Sequence, residues 1–508
     1  RMPLIALVLL TPLVASATTA REPLTSLDPR WPLAVELQRR GQLGDRLTPG
    51  GVASIPTTPA SALAASLWRG WADRIAPADG LAASLEPRLT FIGLTTDPHR
   101  QLRPIHLDVR EGEAVDPFGR ARVAFVGRAR LHERVTAGVD FAFDSRGDND
   151  PRNRTRTFRQ LEASNNFDAA WLRVGFDAGA LTIGRLPFRW GPERLGGLLI
   201  DDVGPAFDMI HGTLAWGPHV LQTFVGQLSS EVVDGTTNRR WLYGHRADLY
   251  FLDDRLRLGL SETVLVSGPN ESINLRYLNP IPLWAQIQAE SDGDAGSAAN
   301  AINALDATWL QDLGPWRLRT YGSVAVDDLQ VDPEGRRDDP DQLAWSAGLD
   351  ASRAAWLLGY EYRRVGTWTY LHRGDGTDHR HFSRPLGAPE GPDTDRHDLR
   401  VDWRPATAWN LFGGVARWRR GENRLSTTEN RLGRAGEPFP RGTVERRWIG
   451  RAGIAWERPG TAKAALQAAF HSIENVNNES GVDEDVWEIR AVIDLFFPRA
   501  VLRADRPD

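Results

Sequence analysis

The sequence predicts an all-β protein: a transmembrane antiparallel barrel of about 18 strands with a small N-terminal helical unit on the periplasmic side. Three observations carry this reading: a period of two in the apolar residues, a strict alternation of short and long connections, and tryptophans gathered beside the short ones. In Val135–Asp144 the odd positions are Val, Ala, Val, Phe and Phe, and the even ones Thr, Gly, Asp, Ala and Asp. Asp398–Arg404 and Val486–Leu495 alternate in the same way. Each such strand has one apolar and one polar face, as a wall between lipid and a polar lumen requires.

Short turns are expected near 132–134, 177–180, 216–219, 253–255, 313–315, 352–354, 404–408 and 457–461. Between them lie long polar loops at 145–167, 190–210, 228–240, 268–304, 328–341, 366–395, 420–445 and 475–485. Tight turns on one rim and long loops on the other are the asymmetry of outer-membrane barrels, and a soluble sandwich has no reason for it. Trp216, Trp316, Trp356, Trp403, Trp409 and Trp456 all flank the short turns, as an aromatic girdle at one interface would.

In chain order, Arg1–Ala17 has a basic start, an apolar core and a small-x-small end, the pattern of a secretory signal peptide. Residues 18–87 lack alternation. Pro32–Gln42 and Pro59–Ile75, the latter with Ala62, Leu63, Leu67 and Trp71 at helical spacing, are expected to form a periplasmic helical unit. No later run is apolar for the ~18 residues a spanning helix needs. The barrel is expected over 88–497, with 498–508 as a tail. Eight hairpins and a last strand near 486–497 need one more strand before 122, from 88–96 or 104–110, if both termini are periplasmic; 18 strands follow, with 16 as the alternative. The last strand ends Leu495-Phe-Phe497, like the aromatic-ended signal of barrel assembly, although 11 residues follow it.

The 508 residues include no cysteine, which excludes disulfides, thiolate metal sites and cysteine nucleophiles. Lys463 is the only lysine among 61 basic residues, so the cationic chemistry is that of arginine, whose planar fork grips carboxylate and phosphate. The net charge of −5 points to no nucleic-acid partner.

Several pieces, in order along 180–395, resemble the Wzi-type capsule-assembly family of outer-membrane proteins. They are Gly184-Arg-Leu-Pro-Phe-Arg-Trp-Gly-Pro192, His245-Arg246 followed by Gly259-Leu-Ser-Glu262, Tyr277-Leu-Asn-Pro280, Asp306 followed by Asp327-Asp328, and Pro385-Leu-Gly-Ala-Pro-Glu-Gly-Pro-Asp393. The resemblance implies an 18-stranded barrel occluded by a helical bundle and folded loops. It also implies a lectin-like, non-enzymatic role in holding capsular or exported polysaccharide at the cell surface. The expected partners are polysaccharide, lipopolysaccharide and outer-membrane lipid, with the chain acting as a monomer without cofactor.

Candidate site residues have two readings each. Arg189, Trp190, Glu193, Arg194, Asp201 and Asp202 are either a sugar-contacting surface or a folded-in loop that plugs the barrel with ion pairs. Trp368, Tyr370 and His372 either stack on sugar or belong to the outer girdle. The loop 417–447 carries Arg417, Arg419, Arg420, Arg424, Arg431, Arg434, Arg441, Arg446 and Arg447, suited to lipopolysaccharide phosphates or acidic polysaccharide. Arg152, Arg154, Arg156 and Arg159 form a second cluster. Glu262 shares the parity of Leu258, Leu260 and Val264, so a bulge turning it inward or a lumen pair with Arg276 is expected; Asp327 and Asp328 are assigned to lumen pairs too. Asp144, Asp148, Asn149 and Asp150, or Asp292 and Asp294, have oxygen ligands for Ca²⁺ but not the spacing of a helix–loop–helix site. Gly-x-Ser-x-Gly, His-Glu-x-x-His and P-loop motifs are missing. A diffusion porin and an outer-membrane hydrolase stand as the competing functions.

Overall fold

The computed structural model describes residues 81–96, 118–132, 134–145, 163–202, 204–279, 298–328, 340–372, 376–382, 384–406, 408–425, 437–458, 461–497 and 500–504. The expected signal peptide and the two expected helices of the N-terminal unit fall outside them, as do the 152–159 arginines, the other acidic turns, Arg431 and Arg434. The strands in order are β1 (Leu81–Thr96), β2 (Phe118–His132), β3 (Val135–Asp144), β4 (Ser164–Phe176), β5 (Gly179–Leu186), β6 (Phe207–Trp216) and β7 (His219–Gln227). After the short β8 (Glu231–Val233) come β9 (Thr236–Phe251), β10 (Leu256–Gly268), β11 (Ala298–Leu313), β12 (Trp316–Asp328), β13 (Gln342–Arg353) and β14 (Trp356–Val365). A two-residue pair, β15 (Arg380–His381) and β16 (Arg384–Pro385), precedes β17 (Thr394–Ala406), β18 (Trp409–Arg420), β19 (Glu445–Arg458), β20 (Ala462–Glu474), β21 (Glu484–Phe496) and β22 (Ala500–Ala504).

Each long strand pairs antiparallel with the next, and β1 closes on β21, with Phe91 opposite Ile493. Leaving aside β8, β15, β16 and β22, the ring has the 18 strands expected. The eight tight turns also fall where the short connections were read. Two expected boundaries move. The first strand begins at Leu81, not at 88, because β22 extends the seam: Leu81–Leu85 pair with Ala500–Ala504. The same pairing makes part of the expected tail a strand, and explains why residues can follow Phe497.

Alternation sorts the side chains. On β14, Trp356, Leu358 and Tyr360 are exposed outward, while Leu357, Glu361 and Arg363 are buried inward. Trp216, Trp316, Trp356, Trp403 and Trp409 are all exposed beside the tight turns, Trp456 is half-buried there, and Trp309 joins them. Trp356 stacks on Trp403 with ring centroids 5.5 Å apart. Since Leu399 lies outward and mid-strand, Leu399→Arg is expected to lower stability in a bilayer by about 2–4 kcal/mol. Urea unfolding in liposomes measures this; an unchanged midpoint would mean the wall does not face lipid.

Candidate functional site

The strands β5 and β6 are joined by 187–206, and this segment folds into the lumen. Its local sequence explains why. Pro187 and Pro192 break strand pairing, and Gly191 and Gly196 take positive φ of 107° and 114°, which a side chain resists. The backbone then doubles back, with Trp190 N donating to Ile200 O at 3.1 Å. Phe188, Trp190, Leu198, Leu199 and Ile200 pack with Leu186, Met209, Phe224, Leu242, Leu265, Ile302 and Val365 from the wall. This apolar cluster draws on β5 through β14, so the plug lies against one side of the barrel. The rings of Phe188, Trp190 and Phe224 meet edge to face at 5.1–5.4 Å.

A second long loop, 366–393, interlocks with the first. His379 Nε2 donates to Leu199 O at 2.6 Å, and Tyr370 Oη donates to Leu198 O and accepts from Ala388 N. Asp201 N donates to Leu386 O at 2.6 Å. His379 is fully buried, and burial pushes its imidazole down to about 4. Neutral, it keeps its Nε2 proton for that carbonyl. A third loop attaches through Asp393, which accepts from Thr367 Oγ1 and Arg441 N at 3.0 Å and from Asn423 N at 3.3 Å.

Charged wall residues hold the loops. Arg363 donates to Glu390 at 2.9 Å, to Glu361 at 3.2 Å, and to the carbonyls of Leu195 and Gly196. Glu361 accepts from the amides of Arg194 and Leu195 at 2.7 and 3.2 Å and from Tyr321 Oη at 2.7 Å. Arg194 reaches Asp398 at 2.9 Å, and Arg319 bridges Asp350 and the carbonyl of Pro192. On the wall beside them, Arg246 joins Asp248 at 2.8 Å and Asp306 at 2.6 Å, with Gln222 linking Asp248 to the indole of Trp190. Carboxylate and guanidinium charges buried this deeply persist because each is paired.

The predicted site residues are thereby placed. Trp190 and Glu193 are buried inside the plug, Arg194 is half-buried and paired with Asp398, and Arg189 stands 3.8 Å from Asp201. Trp368 and Tyr370 are buried plug residues too, not girdle. The arginines of 417–447 divide. Arg417, over the Trp448 ring at 5.7 Å, and Arg419, paired with Asp395, sit on the outer face of the rim. Arg420 and Arg447 are buried inward, and Arg424 binds the carbonyls of Gly421 and Asn423 and the side chain of Asn478. Glu262 needs correcting. The register of β10 runs without a bulge, so Glu262 stays outward and pairs with His245 at 3.3 Å, not with Arg276. Arg276 lies in a 3-10 turn outside the strands. Asp327 forms no lumen pair with arginine; it caps the plug, accepting from Tyr370 N at 2.7 Å and Asn300 at 3.1 Å. Asp328 sits where the β12–β13 register shifts. Asp144 pairs with Arg120, and no cluster of metal ligands occurs among the described residues. Arg363, Glu361, Asp398 and His379 were not singled out in the sequence; only their inward parity or their place in a long loop hinted at them.

No family model matches this sequence, and no curated protein matches it. Among solved structures, the chain is similar to Wzi of Escherichia coli, an outer-membrane protein involved in group 1 capsule assembly and a carbohydrate-binding β-barrel. The TM-score is 0.62 at 14% identity, over 94% of this chain and 100% of that one. The fold is that of an outer-membrane β-barrel. Pseudomonas aeruginosa OpdK with vanillate aligns at TM-score 0.47 and 13% identity over 83% and 99% of the two chains, and OccK10 at 0.45 and 12% over 83% and 99%.

Two outcomes are expected of the plug. Removing the Arg363 charge, as Arg363→Met, takes from Glu361 its arginine and leaves Glu390 with Arg396 alone, a loss of about 3 kcal/mol for a broken buried pair; protease cleavage within 187–206 should rise sharply, and an unchanged pattern would contradict the anchoring. Glu193 supplies a pH dependence. Burial, helped by Asp306, pushes its carboxyl from 4.5 up to about 7. The docked plug thus holds a proton that the undocked chain releases, so this contribution is complete below about pH 4.5 and lost as pH rises through about 7. Amide hydrogen exchange over 188–200, corrected for its intrinsic pH dependence, should be slower at pH 5 than at pH 8.

Proposed function

We propose that this chain is an outer-membrane barrel that binds and organises polysaccharide at the cell surface, and that it catalyses no reaction. The observation that carries the reading is the plug itself. Two loops fold into the lumen, share one apolar core with the wall and are tied to it by buried arginines, which serves a scaffold and hinders a channel. Similarity to a carbohydrate-binding barrel supports the same reading at the level of the fold.

The contact surface we assign is a cap at the long-loop rim. There Arg441 lies over the ring of the plug residue Trp368 at 5.2 Å, and Arg364, on the outward parity of β14, lies over the Phe439 ring at 3.7 Å. Half-buried guanidinium groups held flat on aromatic rings are preset to fork onto a uronic-acid carboxylate or a phosphate. Arg417, Arg419 and Arg446, on the outer rim, are assigned to lipopolysaccharide phosphates instead. One feature favours a diffusion porin: on β2, away from the plug's apolar core, Arg122 and Arg128 have inward side chains 25% and 23% exposed, as a charged channel would.

In a deletion strain complemented with Arg364→Ala/Arg441→Ala, polysaccharide release into the medium should rise several-fold over wild-type complementation, with equal surface expression. Retention at the wild-type level would remove the cap from the account.

A further inference from the structure

One polar feature lies on the wrong side of the wall. On the outer face, Thr223 stands opposite His245, His245 opposite Glu262, and Glu262 opposite Asn303, a row at one height across β7, β9, β10 and β11. The His245–Glu262 distance is 3.3 Å, and Glu262 is only 2% exposed. An acid at this depth on the lipid face is costly, so a wall that retains one invites a purpose. The row borders a cavity of about 900 Å³, whose apolar lining includes Leu181, Leu214, Leu221, Leu260, Leu305 and Val324. Those five leucines are 39–49% exposed, so the hollow opens away from the barrel axis.

The end of this hollow nearer the long loops is built. The segment after β10 folds down over the wall, and Tyr277 packs on Tyr243, Val264 and Val266. Asn274 N donates to Tyr243 Oη at 2.7 Å, and Trp241 Nε1 donates to Glu271 O at 3.3 Å. A strap pinned in this way gives the groove an end stop just above the polar row.

We propose that this groove is a binding site for one membrane lipid, seating an acyl chain that bears a hydroxyl group. The location points to the class of occupant, because a wall that faces hydrocarbon meets acyl chains along its height. The polar row decides the substituent. A carboxylate can accept from more than one donor, so beside its His245 partner Glu262 can take a hydroxyl, which a plain chain or an ester carbonyl does not offer, while the same hydroxyl can accept from Asn303 or Thr223. The apolar lining takes the methylenes on either side.

The test is independent of polysaccharide binding. Full-length protein in detergent micelles is unfolded by heat with increasing mole fractions of methyl 3-hydroxytetradecanoate or methyl tetradecanoate, neutral probes that the rim arginines do not attract. The hydroxy ester should raise the midpoint and half-saturate at about a tenfold lower mole fraction than the plain ester, the increment of one charge-assisted hydrogen bond. Leu260→Trp, which fills the groove, should abolish the response to both, and Glu262→Val, which removes the acceptor, should bring the two esters together. Correct folding of each variant is checked by its heat-modifiable electrophoretic mobility. Equal responses to the two esters in wild type, no response to either, or a wild-type response in Leu260→Trp would each overturn the proposal.

Discussion

A backbone that crosses hydrocarbon must satisfy every N–H and C=O from within, since no water is there to do it. In this chain that demand is met by closure. The pairing of β1 with β21 turns an open sheet into a ring without edges, and β22 continues the seam along the first residues of β1. Everything else follows from the ring. Side chains can point only to lipid or to the lumen, and charges accumulate on the inner face because the outer one repels them.

The lumen then faces a second demand. Arginines and carboxylates crowded into a confined space need partners, and the loops supply them. Backbone carbonyls of 192–196 accept from Arg319 and Arg363, and backbone amides of the same stretch donate to Glu361. The plug is thus held by its main chain more than by its own charged side chains. Its apolar residues do the packing, which is why Trp190 and Tyr370, attractive as sugar-stacking residues, end up enclosed.

Much of this was legible beforehand, and the division has a physical reason. Strand positions follow from a period of two and a rhythm of turns, both local properties; the tight turns and the girdle tryptophans were found that way. The inward parity of Asp398 and Arg400 could be read too. What could not be read was which inward charge meets which, because Arg194 sits in a folded-in loop and meets Asp398, 204 residues further along the chain. Glu262 shows the limit from the other side. Its parity was correct, and the expectation of a bulge failed because His245, on the neighbouring strand, supplied a partner that single-strand reasoning does not see. The seam at Leu81 was missed for a similar reason: β22 lies far away in sequence.

The central claim is that this closed ring is a plugged scaffold and not an open pore. Single-channel recording of the refolded full-length protein in a planar bilayer addresses it most directly. The account predicts a silent membrane with rare, brief openings of small amplitude. Large, steady, ohmic steps from every inserted molecule would contradict it.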